Sequence, residues 1–216
     1  MASKVAGVTY LLIAANVMVF VMTLSNQEFL TPDSAYFDNY GLVPVDIMEG
    51  KNLFTLVTSP FFHANLLHLG MNMLFLFIAG DGCERAMGSS RFLVFYLACG
   101  VLSGLFHAYL NSTSSIATIG ASGAIFGVLA AFAILFPFRW LISLFGLIPV
   151  PVPAIIFVFL TVLIETAYVA SGVADNVAHT AHVGGFLAGV FLTLLFGPRK
   201  HEIDEQLPRN LRVKST

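Results

Sequence analysis

The sequence predicts an all-α polytopic membrane protein, a bundle of six transmembrane helices. Composition supports this fold class, because 57% of the 216 residues are hydrophobic and only 10% are charged. The mean hydropathy of +0.87 is also far above that of soluble globular domains. Length agrees, since a spanning helix needs about 20 residues for a hydrocarbon core of about 30 Å, and most of the apolar segments approach that length.

Six apolar segments follow one another along the chain. They cover residues 5–24, 63–79, 92–110, 122–136, 153–170 and 179–196. The first is longer than a typical signal-peptide core and no small-x-small cleavage motif follows it, so we expect a retained helix. The segments predict one membrane domain over residues 1–200 and a polar cytoplasmic tail over residues 201–216.

The fourth segment is short, because it begins at Ser122 and stops before Pro137. At about 1.5 Å per residue it rises only about 22 Å. One of its ends should therefore lie below the membrane surface, where surrounding protein or a water-filled cavity has to satisfy the loop backbone.

Charge predicts the orientation of the chain. The net charge of -2 argues against nucleic acid as a partner. If the six helices alternate, one side of the membrane receives Lys4, Arg85, Arg91, Arg139, Arg199, Lys200, Arg209, Arg212 and Lys214, whereas Lys51 falls on the other. The positive-inside rule then puts both termini in the cytoplasm. A chain of this compactness suits a bacterial inner membrane.

Polar side chains gather at one depth in this arrangement. The second, fourth and sixth helices begin on the outer side, and their outer halves contain His63, His68, Asn72, Ser122, His179 and His182. Each such group is costly in hydrocarbon unless it finds a partner or lines a cavity. A common, partly hydrated pocket is therefore expected.

Small residues predict that the fourth and sixth helices meet. The glycines at suitable spacings are Gly123, Gly127, Gly185 and Gly189. Small residues let membrane helices approach closely. If these faces meet, Ser122 and His182 lie at the same level.

A hydroxyl and an imidazole at one level indicate nucleophilic chemistry. Serine is a weak nucleophile that needs an adjacent base, and neutral imidazole suits that role. Attack on a carbonyl creates an oxyanion, which His68 and Asn72 can stabilise from one helical face because they are four residues apart. No Asp is evident as a third member, and an unpaired buried carboxylate is expensive. We predict a Ser-His dyad.

Three segments resemble the signature motifs of the rhomboid intramembrane serine proteases. They are residues 63–72 (HANLLHLGMN), 120–127 (GASGAIFG) and 181–189 (AHVGGFLAG). Residues 80–88 (GDGCERAMG) are similar to the family's linker between the second and third helices. The resemblance covers about residues 54–197.

The resemblance implies a role for each matching residue. Ser122 corresponds to the nucleophile and His182 to the general base, while His68 and Asn72 complete an oxyanion hole with the Ser122 backbone N–H. Supporting positions are His63, Gly120, Gly123, Phe126, Gly185 and Gly189, of which Phe126 corresponds to an aromatic residue beside the catalytic His. The implied activity is cleavage of transmembrane protein substrates near the outer membrane face, without cofactor or metal.

The resemblance also bears on the loops. Residues 51–55 stand where the family often has a Trp-Arg pair, which leaves the anchoring of the first outer loop open. That loop, residues 25–62, is expected to be an interfacial scaffold, and residues 170–177 to be a movable cap. A substrate helix has to unwind to present its backbone, so helix-breaking residues are expected near the scissile bond.

Several side chains have a second interpretation. His179 could compete with His182 as the base, but the glycines that follow His182 match the motif. Glu165 is an intramembrane charge and so a functional candidate, although a structural hydrogen bond is favoured. His107 is assigned a structural role.

Two other classes of function remain open. A haem-binding electron-transfer bundle could use His68 and His182 as axial ligands, but it leaves Ser122 and Asn72 unexplained. A non-catalytic membrane-protein-binding protein would tolerate loss of Ser122 or His182. Metal-dependent hydrolysis is disfavoured, since the sequence contains no His-Glu-x-x-His motif.

Overall fold

All six apolar segments form helices. The computed structural model describes residues 6–25, 32–145, 148–172 and 177–198. In this part of the chain the helices are α1 (Gly7–Thr23), α2 (Ala35–Tyr40), α3 (Pro44–Met48), α4 (Thr55–Thr58), α5 (Leu66–Met87), α6 (Ser89–Leu110), α7 (Ser122–Leu135), α8 (Ala154–Ser171) and α9 (His179–Phe196), with a 3-10 turn at Ser59–Phe61.

Three of these helices, α5, α6 and α8, are long and apolar enough to cross a membrane. The apolar stretches of α1, α7 and α9 are shorter, so the six crossings stay a prediction. The predicted tail and most of the basic residues used to orient the chain lie outside the described residues.

A β-hairpin between α7 and α8 corrects the expectation of an all-helical chain. Strand β1 (Trp140–Phe145) pairs antiparallel with β2 (Ile148–Pro153). Strand β2 has proline at every second position, namely Pro149, Pro151 and Pro153. Proline lacks an N–H donor and breaks a helix interior, but it is tolerated on an edge strand. The alternation therefore favours the hairpin over an extension of either helix.

The short helix α7 lies at the centre of the bundle. It has 14 residues, and every residue from Gly123 to Ala133 is buried. Its neighbours in the apolar core come from α5, α6 and α8, among others. Protein therefore surrounds the short fourth helix, which is one of the two environments predicted around its end, while the depth of that end in a membrane stays a prediction.

Helices α7 and α9 pack through a glycine interface formed by Gly123, Gly127, Gly185 and Gly189. A Cβ added to Gly185 would overlap the carbonyl oxygen of Gly123, and one added to Gly189 would overlap that of Gly127. Backbones this close leave no room for side chains. The predicted contact between the two helices is confirmed.

A buried carboxylate fixes the start of α1. Glu84 of α5 is 2% exposed and accepts hydrogen bonds from the backbone N–H groups of Val8, at 3.0 Å, and Thr9, at 2.7 Å. The hydroxyls of Thr9 and Ser89 also donate to it, at 2.8 and 2.7 Å. The first N–H groups of a helix have no partner within the helix, and a negative charge there is favourable. Glu84 therefore ties α1 to α5.

The described part of the first outer loop supports the turn that precedes α7. Leu42 and Thr118 exchange two backbone hydrogen bonds of 2.9 and 2.8 Å, and the Gly120 N–H donates to the Ser59 carbonyl at 3.0 Å. These bonds agree with the predicted scaffold. Residues 26–31 of the loop lie outside the described residues.

The stretch that departs from the family pattern has its own anchors. The Thr55 hydroxyl is buried and donates to the Asn52 carbonyl at 2.8 Å. The Asn52 amide in turn donates to Asp46 at 2.9 Å. Local hydrogen bonds thus hold this part of the loop.

Candidate active site

Ser122 is the first residue of α7 and follows a sharp turn. Gly120 has a φ of +122°, a conformation that a glycine adopts without the steric cost of a Cβ. The turn leaves Ser122 at the helix N-terminus, where the first backbone N–H groups have no acceptor within the helix. A hydroxyl and free N–H donors therefore share one position.

His182 lies one turn into α9 and faces Ser122. Its Nε2 is 2.8 Å from Ser122 Oγ, a hydrogen-bond distance between a hydroxyl and a nitrogen base. The Phe126 ring stacks on the imidazole, with centroids 4.5 Å apart and planes 7° from parallel. Thus the structure brings together the two residues predicted to be nucleophile and base, and the aromatic residue predicted beside them.

Glu165 of α8 contacts the other side of the imidazole. Its Oε2 lies 2.9 Å from Nδ1 of His182 and 2.5 Å from Nδ1 of His179. His179 stacks on Tyr168, with centroids 4.5 Å apart. Sequence reasoning missed this contact, since it favoured a structural hydrogen bond for Glu165 and saw no carboxylate beside the dyad. The available signal was depth, because the sequence places Glu165 in the same predicted outer layer as His182.

The same three side chains could hold a metal ion. One ligand atom from each of Glu165, His179 and His182 lies within 4.8 Å of the others. Imidazole nitrogen and carboxylate oxygen are both ligands that zinc accepts. His182 would, however, have to give up its hydrogen bond to Glu165.

His68 also lies beside the nucleophile. A Cβ added to Gly120 would be 2.8 Å from two atoms of the His68 ring and 3.8 Å from Ser122 Oγ, so the ring lies across this turn. The Asn72 amide donates to the His68 carbonyl at 2.8 Å. Within the described chain, no hydrogen bond joins Asn72 to Ser122 or His182, so its oxyanion role stays a prediction.

His63 packs edge-on against His68. Their ring centroids are 5.0 Å apart, and His63 is 1% exposed. This contact places His63 behind the His68 ring, at the supporting position that was predicted for it.

His107 has the structural role that was predicted. Its Nδ1 lies 2.5 Å from Thr180 Oγ1, and its Nε2 lies 3.0 Å from Thr118 Oγ1. The imidazole thus joins α6 to α9 and to the loop before Ser122.

Comparisons with known proteins identify the family of the chain. A family model described as the Rhomboid domain matches residues 50–199. The chain is 31% identical over 191 residues to Rhomboid protein 1, mitochondrial, of Saccharomyces cerevisiae, a match that covers 85% of this chain and 51% of the yeast protein.

Two bacterial relatives carry protease in their names. The chain is 32% identical over 154 residues to Rhomboid protease AarA of Providencia stuartii, covering 62% of this chain and 52% of that protein. It is 28% identical over 191 residues to Rhomboid protease GluP of Bacillus subtilis, covering 88% of this chain and 34% of that protein. The chain spans about half the length of the first two relatives and less of the third.

Proposed function

The chain belongs to the rhomboid family, and on that premise we propose that it is an intramembrane serine endopeptidase that cleaves transmembrane protein substrates near the outer membrane face. The observation that carries the proposal is the 2.8 Å distance between Ser122 Oγ and His182 Nε2. Two relatives named as proteases support it.

The proposed reaction is acyl transfer by a Ser-His dyad. Ser122 Oγ bonds to the substrate carbonyl carbon while His182 Nε2 takes the hydroxyl proton. The peptide C–N bond then breaks, and the leaving amine receives that proton from His182. Water, deprotonated by the same imidazole, hydrolyses the acyl-enzyme and frees Ser122.

The oxyanion formed in this reaction needs donors. We assign His68, Asn72 and the Ser122 backbone N–H to that role, and each side-chain donor is expected to contribute about 3 kcal/mol. The position of the His68 ring beside Gly120 and Ser122 supports its part in the assignment. Asn72 keeps a second amide hydrogen available, since an amide has two and one goes to the His68 carbonyl.

The finer topology belongs to the proposal as well. We propose six crossings in one membrane domain over residues 1–200, with both termini cytoplasmic, because basic residues concentrate on one side. A mitochondrial protein is among the relatives, so the predicted bacterial inner membrane has no support from the comparisons.

Labelling by a serine-directed fluorophosphonate probe in detergent tests the nucleophile. Wild type and the exposed-serine control Ser90→Ala should label, whereas Ser122→Ala should not. His182→Ala should label at least about 100-fold more slowly, as expected when a general base is lost. Equal labelling of wild type and Ser122→Ala would refute the proposal.

The haem alternative is disfavoured by the contacts of His182. Both of its ring nitrogens have partners, Glu165 and Ser122, whereas an axial ligand needs a free nitrogen lone pair directed at the iron. Visible absorbance of the purified protein checks this point, and a Soret band would favour the alternative.

A further inference from the structure

We infer that Glu165 is a positioning residue for the proposed reaction, because its carboxylate fixes both the orientation and the tautomer of His182. The inference rests on the proposed function and adds to the dyad a residue whose carboxylate contacts His182 and His179.

Glu165 determines which ring nitrogen of His182 carries the proton. An ionised carboxylate only accepts hydrogen bonds, and Glu165 Oε2 lies 2.9 Å from Nδ1 of His182. Nδ1 therefore carries the hydrogen, and in the neutral imidazole Nε2 then has the lone pair. That lone pair faces Ser122 Oγ at 2.8 Å, as a general base requires.

Glu165 is itself held in place by a second histidine, His179. His179 donates from its own Nδ1 to the same oxygen, and its ring stands at 86° to that of His182. Both imidazoles therefore contact one carboxylate oxygen. A charge inside a membrane protein is costly unless donors surround it, and two N–H donors meet that need. Glu165 is accordingly fixed by a residue other than the one it positions.

Glu165 also affects the positive charge that develops on His182 during the proposed reaction. When His182 takes the Ser122 proton it becomes an imidazolium, and the adjacent carboxylate stabilises that positive charge. The proton stays on the imidazole and later passes to the leaving amine, so Glu165 changes neither its charge nor its bonds. The expected benefit therefore lies in the rate of the chemical step and not in substrate affinity.

Saturation kinetics with the fluorophosphonate probe can separate these effects. Glu165→Gln should lower the maximal inactivation rate constant, by up to about 10,000-fold if the effect is as large as the loss of the acidic member of other serine sites. The probe concentration for half-maximal rate should change less than about twofold. A purely structural role would instead reduce the labelled fraction without changing the rate constant of the folded molecules.

Glu84→Gln is the matched control, because it makes the same chemical change at the buried carboxylate that fixes α1. It should lower the melting temperature and leave the rate constant unchanged. Should Glu165→Gln not fold, Glu165→Asp keeps the charge but withdraws it from Nδ1 by one methylene group. Its rate constant should fall at least about threefold.

The outcomes distinguish the two proposals. If wild type labels at Ser122 and the folded Glu165→Gln or Glu165→Asp protein labels at the wild-type rate, the positioning role of Glu165 is overturned and the proposed function stands. If wild type does not label at Ser122, the proposed function itself fails.

Discussion

The Phe126 ring lies flat against one face of the His182 imidazole. Such a ring pair is worth about 0.5–1.5 kcal/mol beyond its buried area, so it should hold the imidazole in line with Ser122. We predict that Phe126→Ala lowers the labelling rate constant about 2- to 10-fold and that Phe126→Tyr retains it.

Phe132→Ala is the control for that prediction. Phe132 belongs to the same helix, is 1% exposed and packs on Phe136 instead of on His182. Its truncation should cost about 3–5 kcal/mol of stability but leave the rate constant of folded protein unchanged. Equal rate constants for Phe126→Ala and wild type would show that the ring pair does not position the base.

The cluster of Glu165, His179 and His182 allows a test with metal ions. We predict that a chelator leaves probe labelling unchanged, because the proposed role of His182 requires only its hydrogen bonds to Ser122 and Glu165. Excess Zn²⁺ should slow labelling, since it competes for the same three ligand atoms. A loss of labelling on chelation that Zn²⁺ restores would instead indicate a metal-dependent site.

At the scale of helices, the glycine interface is the feature most sensitive to substitution. We predict that Gly189→Ala lowers the free energy of unfolding by at least about 1–3 kcal/mol, which is the usual cost of overpacking. The reason is that the added methyl group meets the Gly127 backbone. Activity should fall with it, since α7 and α9 carry Ser122 and His182. Thermal melting and probe labelling measure the two effects.

Gly70→Ala provides the matched control on α5. A Cβ at Gly70 meets nothing within 4 Å, and alanine is favoured over glycine in a helix by about 1 kcal/mol. Its stability should therefore stay the same or rise. If both alanine variants melt like wild type, close backbone packing is not what joins α7 to α9.

The helices illustrate what periodic and apolar patterns can predict and what they cannot. Length and hydropathy indicated six helical segments, and small residues indicated which pair packs closely. Strands β1 and β2 were not predicted, because the proline alternation of β2 is a local backbone signal inside an otherwise apolar region. The tie between Glu84 and α1 also went undetected, because it joins groups 75 positions apart.

For the whole molecule, the proposed reaction sets a requirement on the substrate. Peptide carbonyls inside a helix are engaged in hydrogen bonds, so a substrate helix has to unwind before Ser122 can reach one. We predict that helix-breaking or small residues near the scissile bond speed cleavage. The measurement is cleavage of paired transmembrane substrates that differ by a central Gly-Pro or Leu-Leu.

The substrate pair should include a control with the Gly-Pro placed a full turn beyond the scissile region. Cleavage should be faster only when the Gly-Pro lies near the scissile bond, and not when it lies a full turn away. Undiminished cleavage of the uninterrupted Leu-Leu substrate would contradict the requirement for unwinding.

The candidate site could be predicted from sequence only in part. The predicted depth in the membrane put Ser122, His68 and His182 at one level, because the distribution of charge predicts which end of each segment faces outward. The partner of His182 on α8 could not be found this way, since depth does not say which face of a helix turns inward. For Glu165 that choice depends on how α8 packs against α9, which a single sequence does not encode locally.

The glycine interface also determines which changes of chain length the site can accept. Ser122 and His182 are 60 positions apart, yet their separation depends on the contact between Gly123 and Gly185. Residues added to the β1–β2 hairpin leave that contact intact. A single residue inserted between Ser122 and Gly127 would instead turn the hydroxyl about 100° around the helix axis, away from the imidazole. The site should therefore tolerate added residues in the β1–β2 hairpin, whereas an insertion within the first turns of α7 should abolish the contact between Ser122 and His182.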